Sequence, residues 1–280
     1  MTFATKILFA FLLISVGTLT AIAQDSYDQQ FNFAKKLYAE ENYFDAVTEF
    51  KRLLFFDGSN KYSFESNYLI GQSYKNGGKF SDALLHFSIA EMQAHSTAEE
   101  FNCRIEIVKI NILRRTTYKA LALLDSLAND PEFKNNSDGI NYWRGWAYIF
   151  SDDWERAALT FSEIQKAHHL ALICDSVDND LYNPDLAKYL SIVPGAGQFY
   201  TGEYISGLLS IGWNVLWGYL TIDAFIEDRV FDGLLIGSLL WWRFYSGNIQ
   251  NAEKFAIEKN LEKTNSALRY LQNDYNGRIP

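Results

Sequence analysis

The sequence predicts an all-α protein: a helical-repeat solenoid of about four helix-turn-helix units, then a transmembrane helical hairpin, then a C-terminal amphipathic helix. Three observations predict it. Alanines recur every 37 residues at Ala46, Ala83, Ala120 and Ala157, and a fixed period is the signature of a repeat architecture. Ile205 to Ile222 is a run of 18 residues without a charge, the threshold length for a bilayer span. Only 4 prolines and 17 glycines occur in 280 residues, while Leu, Ala, Lys and Glu are plentiful, a composition of helices rather than of loop-rich β structure.

Charge narrows the function. The chain carries 25 basic and 34 acidic residues, a net charge of -9, so it lacks the basic footprint of a nucleic-acid binder. Its 48% hydrophobic content is ample for a buried core.

Residues 1–23 read as a signal peptide. Lys6 is a positive n-region, Ile7 to Val16 an apolar core, and Ala21-Ile22-Ala23 a small-residue cleavage pattern before Gln24. An uncleaved anchor is the alternative, with a core about half the ~20 residues of a span. No Cys follows the cleavage point, so no lipoprotein anchor is indicated.

Residues 24–167 form the repeat module. Four residues after each periodic alanine stands Phe50, Phe87, Leu124 or Phe161, and three further on Leu53, Ala90, Leu127 or Ile164. Twelve residues before it stands Ala34, Gly71, Val108 or Gly145, and nine before it Leu37, Tyr74, Asn111 or Tyr148. Small residues alternating with large ones at helical spacing predict paired helices whose backbones approach at the small residue. Gly77-Gly78 and Asp152-Asp153 mark turns; unit three is degenerate, with Val108 and Asn111 replacing Gly and Tyr.

The pattern G-x-x-Y followed by A-x-x-x-F resembles the tetratricopeptide repeat, best in Gly71-Gln-Ser-Tyr74 with Ala83 and Phe87, and in Gly145-Trp-Ala-Tyr148 with Ala157 and Phe161. The period is 37 rather than the usual 34. The resemblance implies that the first helices line a groove for a protein or peptide ligand. Counted from Tyr27, Phe64, Phe101 and Asp138, its lining would be Phe31, Tyr68, Ile105 and Tyr142 at the fifth positions and Lys35, Gln72, Lys109 and Trp146 at the ninth. Two plainer readings stand beside it: these residues pack against the neighbouring helix, or the groove holds the chain's own C-terminal helix.

Residues 168–192 are a joint. His168-His169 lacks a third ligand at metal spacing, and no metal is expected. Asn183-Pro184 is a helix start, with Asn as N-cap and Pro at the first helical position. Cys103 and Cys174 are the two cysteines, and export would permit a disulfide; their pairing stays open.

Residues 193–246 are the membrane hairpin. Ser206, Ser210, Asn214 and Gly218 recur every four residues on its first helix, and Gly233 and Gly237 on its second, small faces that let helices meet in lipid. The second segment, Val230 to Tyr245, is shorter and interrupted by Asp232 and Arg243. The motif Pro194-Gly195-Ala-Gly197-Gln198-Phe-Tyr200-Thr-Gly202, with Gly207 and Asn214, resembles the P-G-x-G-Q-x-Y-x-G motif of a two-span domain of bacterial membrane proteins. Tyr245-Ser-Gly-Asn248-Ile249 with Ala252 and Ala256 is similar to the closing part of such domains in bacterial envelope proteins that also carry helical repeats. That family implies membrane association and no reaction. Read from the residues, the glycines permit sharp turns and close approach, while Gln198 and Asn214 satisfy backbone groups where the chain enters lipid; the motif is an entry loop or, alternatively, a ligand site.

Residues 247–280 are the C-terminal helix and tail. Ile257, Leu261, Thr264, Leu268 and Leu271 make a 4,3,4,3 stripe that would dock on the repeat module or on a second copy, leaving a homo-oligomer open.

The expected function is a membrane-tethered scaffold at the bacterial inner membrane, with its repeats exported to the periplasm and binding a protein or peptide partner. The alternative is a membrane-embedded subunit of a transport or membrane-protein assembly complex, using Gln198, Asn214, Asp223 and Arg243. No catalytic motif, cofactor site or nucleic-acid partner is expected.

Overall fold

The computed structural model describes residues 26–280, so the expected signal peptide lies outside the described residues. Among them the fold is all-helical, with no strand. The chain divides into two compact units, one ending at Ala167 and the other spanning His168–Ile279.

The first unit contains α1 (26–39), α2 (Tyr43–Phe56), α3 (Ser63–Asn76), α4 (Phe80–Met92), α5 (Thr97–Leu113), α6 (Thr117–Asn129), α7 (Ser137–Ile149) and α8 (Trp154–Ser162). Every second helix of a pair begins 37 residues after the last, at Tyr43, Phe80, Thr117 and Trp154. The periodic positions are interior. Ala46, Ala83, Ala120, Ala157, Phe50, Phe87, Leu124 and Phe161 have no exposed surface. Within α3/α4 and α7/α8 the first helix presents glycine to the second helix's ring. A Cβ added at Gly71 would lie 2.9 Å from the Phe87 ring, and one at Gly145 would lie 2.5 Å from that of Phe161.

The turns inside the pairs repeat in the same register. Glu41, Gly78, Arg115 and Asp152 all have positive φ, from 54° to 71°. The next residue's amide reaches back across each turn: Asn42 to the Leu37 carbonyl, Lys79 to Tyr74, Thr116 to Asn111 and Asp153 to Tyr148, at 2.8 to 3.0 Å. This is the left-handed closure that satisfies the last carbonyls of a helix. Unit three therefore has the same turn despite its divergent sequence. There Asn111 replaces tyrosine, and its side-chain oxygen accepts from the Thr116 hydroxyl at 2.9 Å.

The second unit comprises α9 (His168–Asp180), α10 (Pro184–Leu190), α11 (Ala196–Tyr200), α12 (Tyr204–Ile226), α13 (Val230–Leu235) and α14 (Trp242–Asn273), with a π-helical turn at Ile236–Trp241 joining the last two. Asn183 caps α10 by accepting from the Leu186 amide at 3.0 Å, with Pro184 in the first turn. α14 runs unbroken through residues 246 and 247, so the return limb of the hairpin and the C-terminal helix are one element.

The C-terminal stripe needs correction. Thr264 and Leu271 are buried, but Ile257 and Leu261 are more than half exposed. The buried line is Asn248, Ala252, Ala256, Thr264 and Leu271, because the contact is close and selects small residues over bulky ones. Its partner is the same unit. Ala252 and Ala256 pack with Ala187, while Asn260 and Tyr182 exchange two bonds, each 2.8 Å, between side-chain amide and main chain.

Candidate functional site

The motif residues converge where α10, α11, α12 and α14 meet. Gly195 has φ 88° and starts α11; a Cβ there would lie 2.6 Å from the Gly207 carbonyl oxygen. At Gly197 a Cβ would run into the Ala187 carbonyl and the Ser191 hydroxyl, and would come within 2.8 Å of the Ala252 Cβ. At Gly207 it would meet the Phe199 ring at 2.8 Å. Gly202, with φ 78° and open space around it, serves the turn into α12. The Tyr200 hydroxyl accepts from the Asn183 amide at 3.0 Å.

Gln198 is fully buried. Its Nε2 donates to the Asn248 main-chain carbonyl at 2.9 Å and to the Asn248 side-chain oxygen. Asn214, also buried, donates to the Ser210 carbonyl of its own helix at 2.8 Å. Both amides thus donate to backbone carbonyls, Gln198 across to α14 and Asn214 within its own helix. Each also has something left over. Gln198 Oε1, Ser210 Oγ, Asn214 Oδ1 and Asn248 Nδ2 are buried without a hydrogen-bond partner, as is the Trp217 indole N–H nearby on α12.

Four of those residues line a cavity of about 230 Å³ between α11, α12 and α14, with Arg243 and a wall of Trp213 and Phe244. The Trp213 and Phe244 rings stack, their centroids 5.7 Å apart. A second cavity of about 440 Å³, lined by Val193, Pro194, Ile211, Asn214, Val215, Trp241 and Tyr245, is apolar apart from Asn214 and the Tyr245 hydroxyl. Asn214 borders both. The sequence names Gln198, Asn214 and Asn248 but misses Ser210 and Asn251. Ser210 was legible only as a small residue, and Asn251 carries no signal until α14 is known to continue.

The hairpin limbs meet through small residues. A Cβ at Gly233 would lie 3.0 Å from the Phe225 ring, and one at Gly237 the same distance from Thr221 Cγ2. Arg229 gathers the charges of the connection, pairing with Asp223 at 3.0 Å, Glu227 at 3.2 Å and Asp232 at 3.8 Å.

The eight groove positions of the first unit separate. Phe31, Ile105 and Trp146 are buried and present no face to a ligand; Phe31 stacks on Tyr62 with centroids 4.9 Å apart. Large apolar groups at these first-helix positions fill the contact with the neighbouring helix. Tyr68, Gln72, Lys109 and Tyr142 are half-buried, and Lys35 is exposed in an ion pair with Glu65 at 2.8 Å. Gln72 donates to the Tyr68 hydroxyl at 3.2 Å. Burial pushes the Tyr68 phenol up to about 12. The sequence missed a buried triad, in which Glu106 accepts from Lys75 and Lys109, each at 2.6 Å. Burial alone would raise the Glu106 carboxyl, but the Lys109 and Lys75 ammonium groups outweigh it and hold the group below its ordinary 4.5.

Cys103 and Cys174 are free, buried thiols, not a disulfide. Burial raises both to about 12, which keeps them unreactive at neutral pH. Among the described residues no cluster of three His, Cys, Asp or Glu side chains could hold a metal. No family model, no curated protein and no solved structure matches this chain.

Proposed function

We propose that this chain is a membrane-tethered helical-repeat scaffold of the bacterial envelope, whose hairpin of α12 and the limb from Val230 into α14 sits in the inner membrane and whose repeats engage a protein or peptide partner. One observation carries the reading. α12 is 23 residues long and apolar enough to cross a bilayer, yet only 17% of its most apolar window is buried inside the protein. A core helix of a soluble domain would show the reverse. The return limb repeats the pattern, with Phe231, Leu234, Leu239 and Trp242 exposed. Apolar surface this continuous on two adjoining helices is far beyond the patches tolerated in water.

The charges agree with a two-limbed insertion. Arg229 neutralises much of the acidic connection at the tip, where the limbs turn, and the next charge on the return limb is Arg243. Ten uncharged residues from Gly233 to Trp242 cover only ~15 Å as a helix, so the return limb crosses fully only if the Arg243 side chain reaches toward the interface. In this reading both ends of the hairpin lie on the exported side, as the signal-like N-terminus requires. Lys35, Tyr68, Gln72 and Tyr142 are the groove residues that keep enough accessible surface to meet a partner, while Lys109 is largely buried against Glu106. The polar cavity within the hairpin favours the second reading, a subunit of a transport or assembly complex.

Deleting residues 193–246 should release the protein from the membrane fraction. Photo-crosslinking from positions 72 and 142 of the intact protein in native membranes should give one discrete adduct. Absence of an adduct from both positions would sink the scaffold assignment.

A further inference from the structure

The amide-lined cavity of the hairpin has a composition that points to its occupant. Arg243 contributes the one charged group, and no carboxylate lines the space. Among the described residues Arg243 has no ion-pair partner, whereas Arg229, in the connection between the limbs, has three. Arg243 is exposed where it lines the cavity, and a cation open to the outside and set beside buried amides is placed to meet an anion. The unpaired atoms are mixed: Asn248 Nδ2 donates, Gln198 Oε1 and Asn214 Oδ1 accept, and Ser210 Oγ does either. Gln198, Asn214 and Asn248 are each more than nine-tenths buried. A bare anion would use the donors and leave two carboxamide oxygens unsatisfied. A phosphate bearing hydroxyl groups would use both sets.

We propose that this cavity binds the headgroup of an anionic phospholipid, with the phosphate on Arg243 and Asn248 Nδ2 and the headgroup hydroxyls on the Gln198 and Asn214 oxygens. The proposal rests on the membrane reading, because the cavity is set between helices whose outer faces carry exposed Leu208, Leu209 and Trp242. The Trp213 and Phe244 wall then lies beside the acyl chains. In that position the local supply of phosphate is lipid rather than solute.

The test uses full-length protein purified from membranes in a neutral detergent and stripped of lipid. Native mass spectrometry with dioleoyl-phosphatidylglycerol, dioleoyl-phosphatidylcholine and inorganic phosphate should show one retained phosphatidylglycerol, bound about tenfold more tightly than phosphatidylcholine. Arg243→Gln should remove that preference without lowering the melting temperature in lipid-free detergent, and Arg243→Lys should keep part of it. Asn214→Asp, which puts a carboxylate in the cavity, should abolish it independently, so a poorly folding Arg243 variant does not shelter the idea. Equal binding of the two lipids, or an unchanged preference in both Arg243→Gln and Asn214→Asp, overturns the site. Protection by inorganic phosphate at millimolar concentration equal to that by phosphatidylglycerol overturns the lipid assignment. Carbonate extraction of the same protein reads the anchor separately: pelleting without lipid preference loses the site alone, and release into the supernatant loses the anchor and the site together.

Discussion

Gln198 of α11 donates both to the main-chain carbonyl of Asn248 in α14, at 2.9 Å, and to that residue's side-chain oxygen. Fifty residues separate the two, and both are buried. The bond fastens the motif loop to the return limb beside Gly197, where the helices touch at the Ala252 methyl. Replacing Gly197 by alanine should therefore destabilise the second unit by ~1 to 3 kcal/mol, the range of overpacking. Gly212 of α12 has open space around it. Gly212→Ala should be neutral or stabilising by up to ~1 kcal/mol. Thermal unfolding in detergent compares the two; equal melting of both variants contradicts the packing described.

In the first unit the corresponding contact is Gly145 against the Phe161 ring. Gly145→Ala should cost ~1 to 3 kcal/mol. Gly139→Ala should not, since its Cβ would meet Phe101 no closer than 3.6 Å. Ala83→Leu should behave as Gly145→Ala does, because Ala83 has no exposed surface. Denaturant midpoints measure all three.

The turn geometry makes an opposite prediction for two equivalent positions. Glu41 and Gly78 share the left-handed conformation, with φ 60° and 71°. Glu41→Gly should stabilise by ~0.5 to 1 kcal/mol, and Gly78→Ala should destabilise by a similar amount although nothing stands within 4 Å of its added Cβ. Loss of stability in Glu41→Gly would contradict the turn assignment.

Glu106 gives the first unit an acid sensitivity of stated sign. Its folded-state pKa is depressed, so its stabilisation is complete above the ordinary 4.5 and is lost as pH falls through the lower folded value. Glu106→Gln leaves Lys75 and Lys109, both largely buried, without a counter-charge, and should cost ~3 kcal/mol at neutral pH. The deficit should shrink in acid. A variant whose deficit is the same at pH 3 and pH 7 would contradict the triad.

Much of the first unit was legible because its register is written in volume: small residues at 71 and 145, rings at 87 and 161. Asp152 was legible as part of a turn, but the left-handed residues at 41 and 115 were not, since Glu and Arg carry no mark of a conformation that the surrounding turn imposes. The groove was read from helix position alone. Position does not separate Trp146, which is buried, from Lys109, whose ammonium lies over the Trp143 ring at 4.5 Å. The C-terminal stripe misled for a related reason. Hydrophobicity selected Ile257 and Leu261, whereas the close contact with α10 required alanines and the pairing with Tyr182 required Asn260. The cavity escaped because its walls come from three segments that only the fold brings together.

The central claim is that the hairpin holds this protein in the membrane, and alkaline carbonate extraction of membranes containing the full-length chain tests it most directly. The protein should stay in the pellet, and a form lacking residues 193–246 should appear in the supernatant. Recovery of the intact protein in the carbonate supernatant would contradict the account.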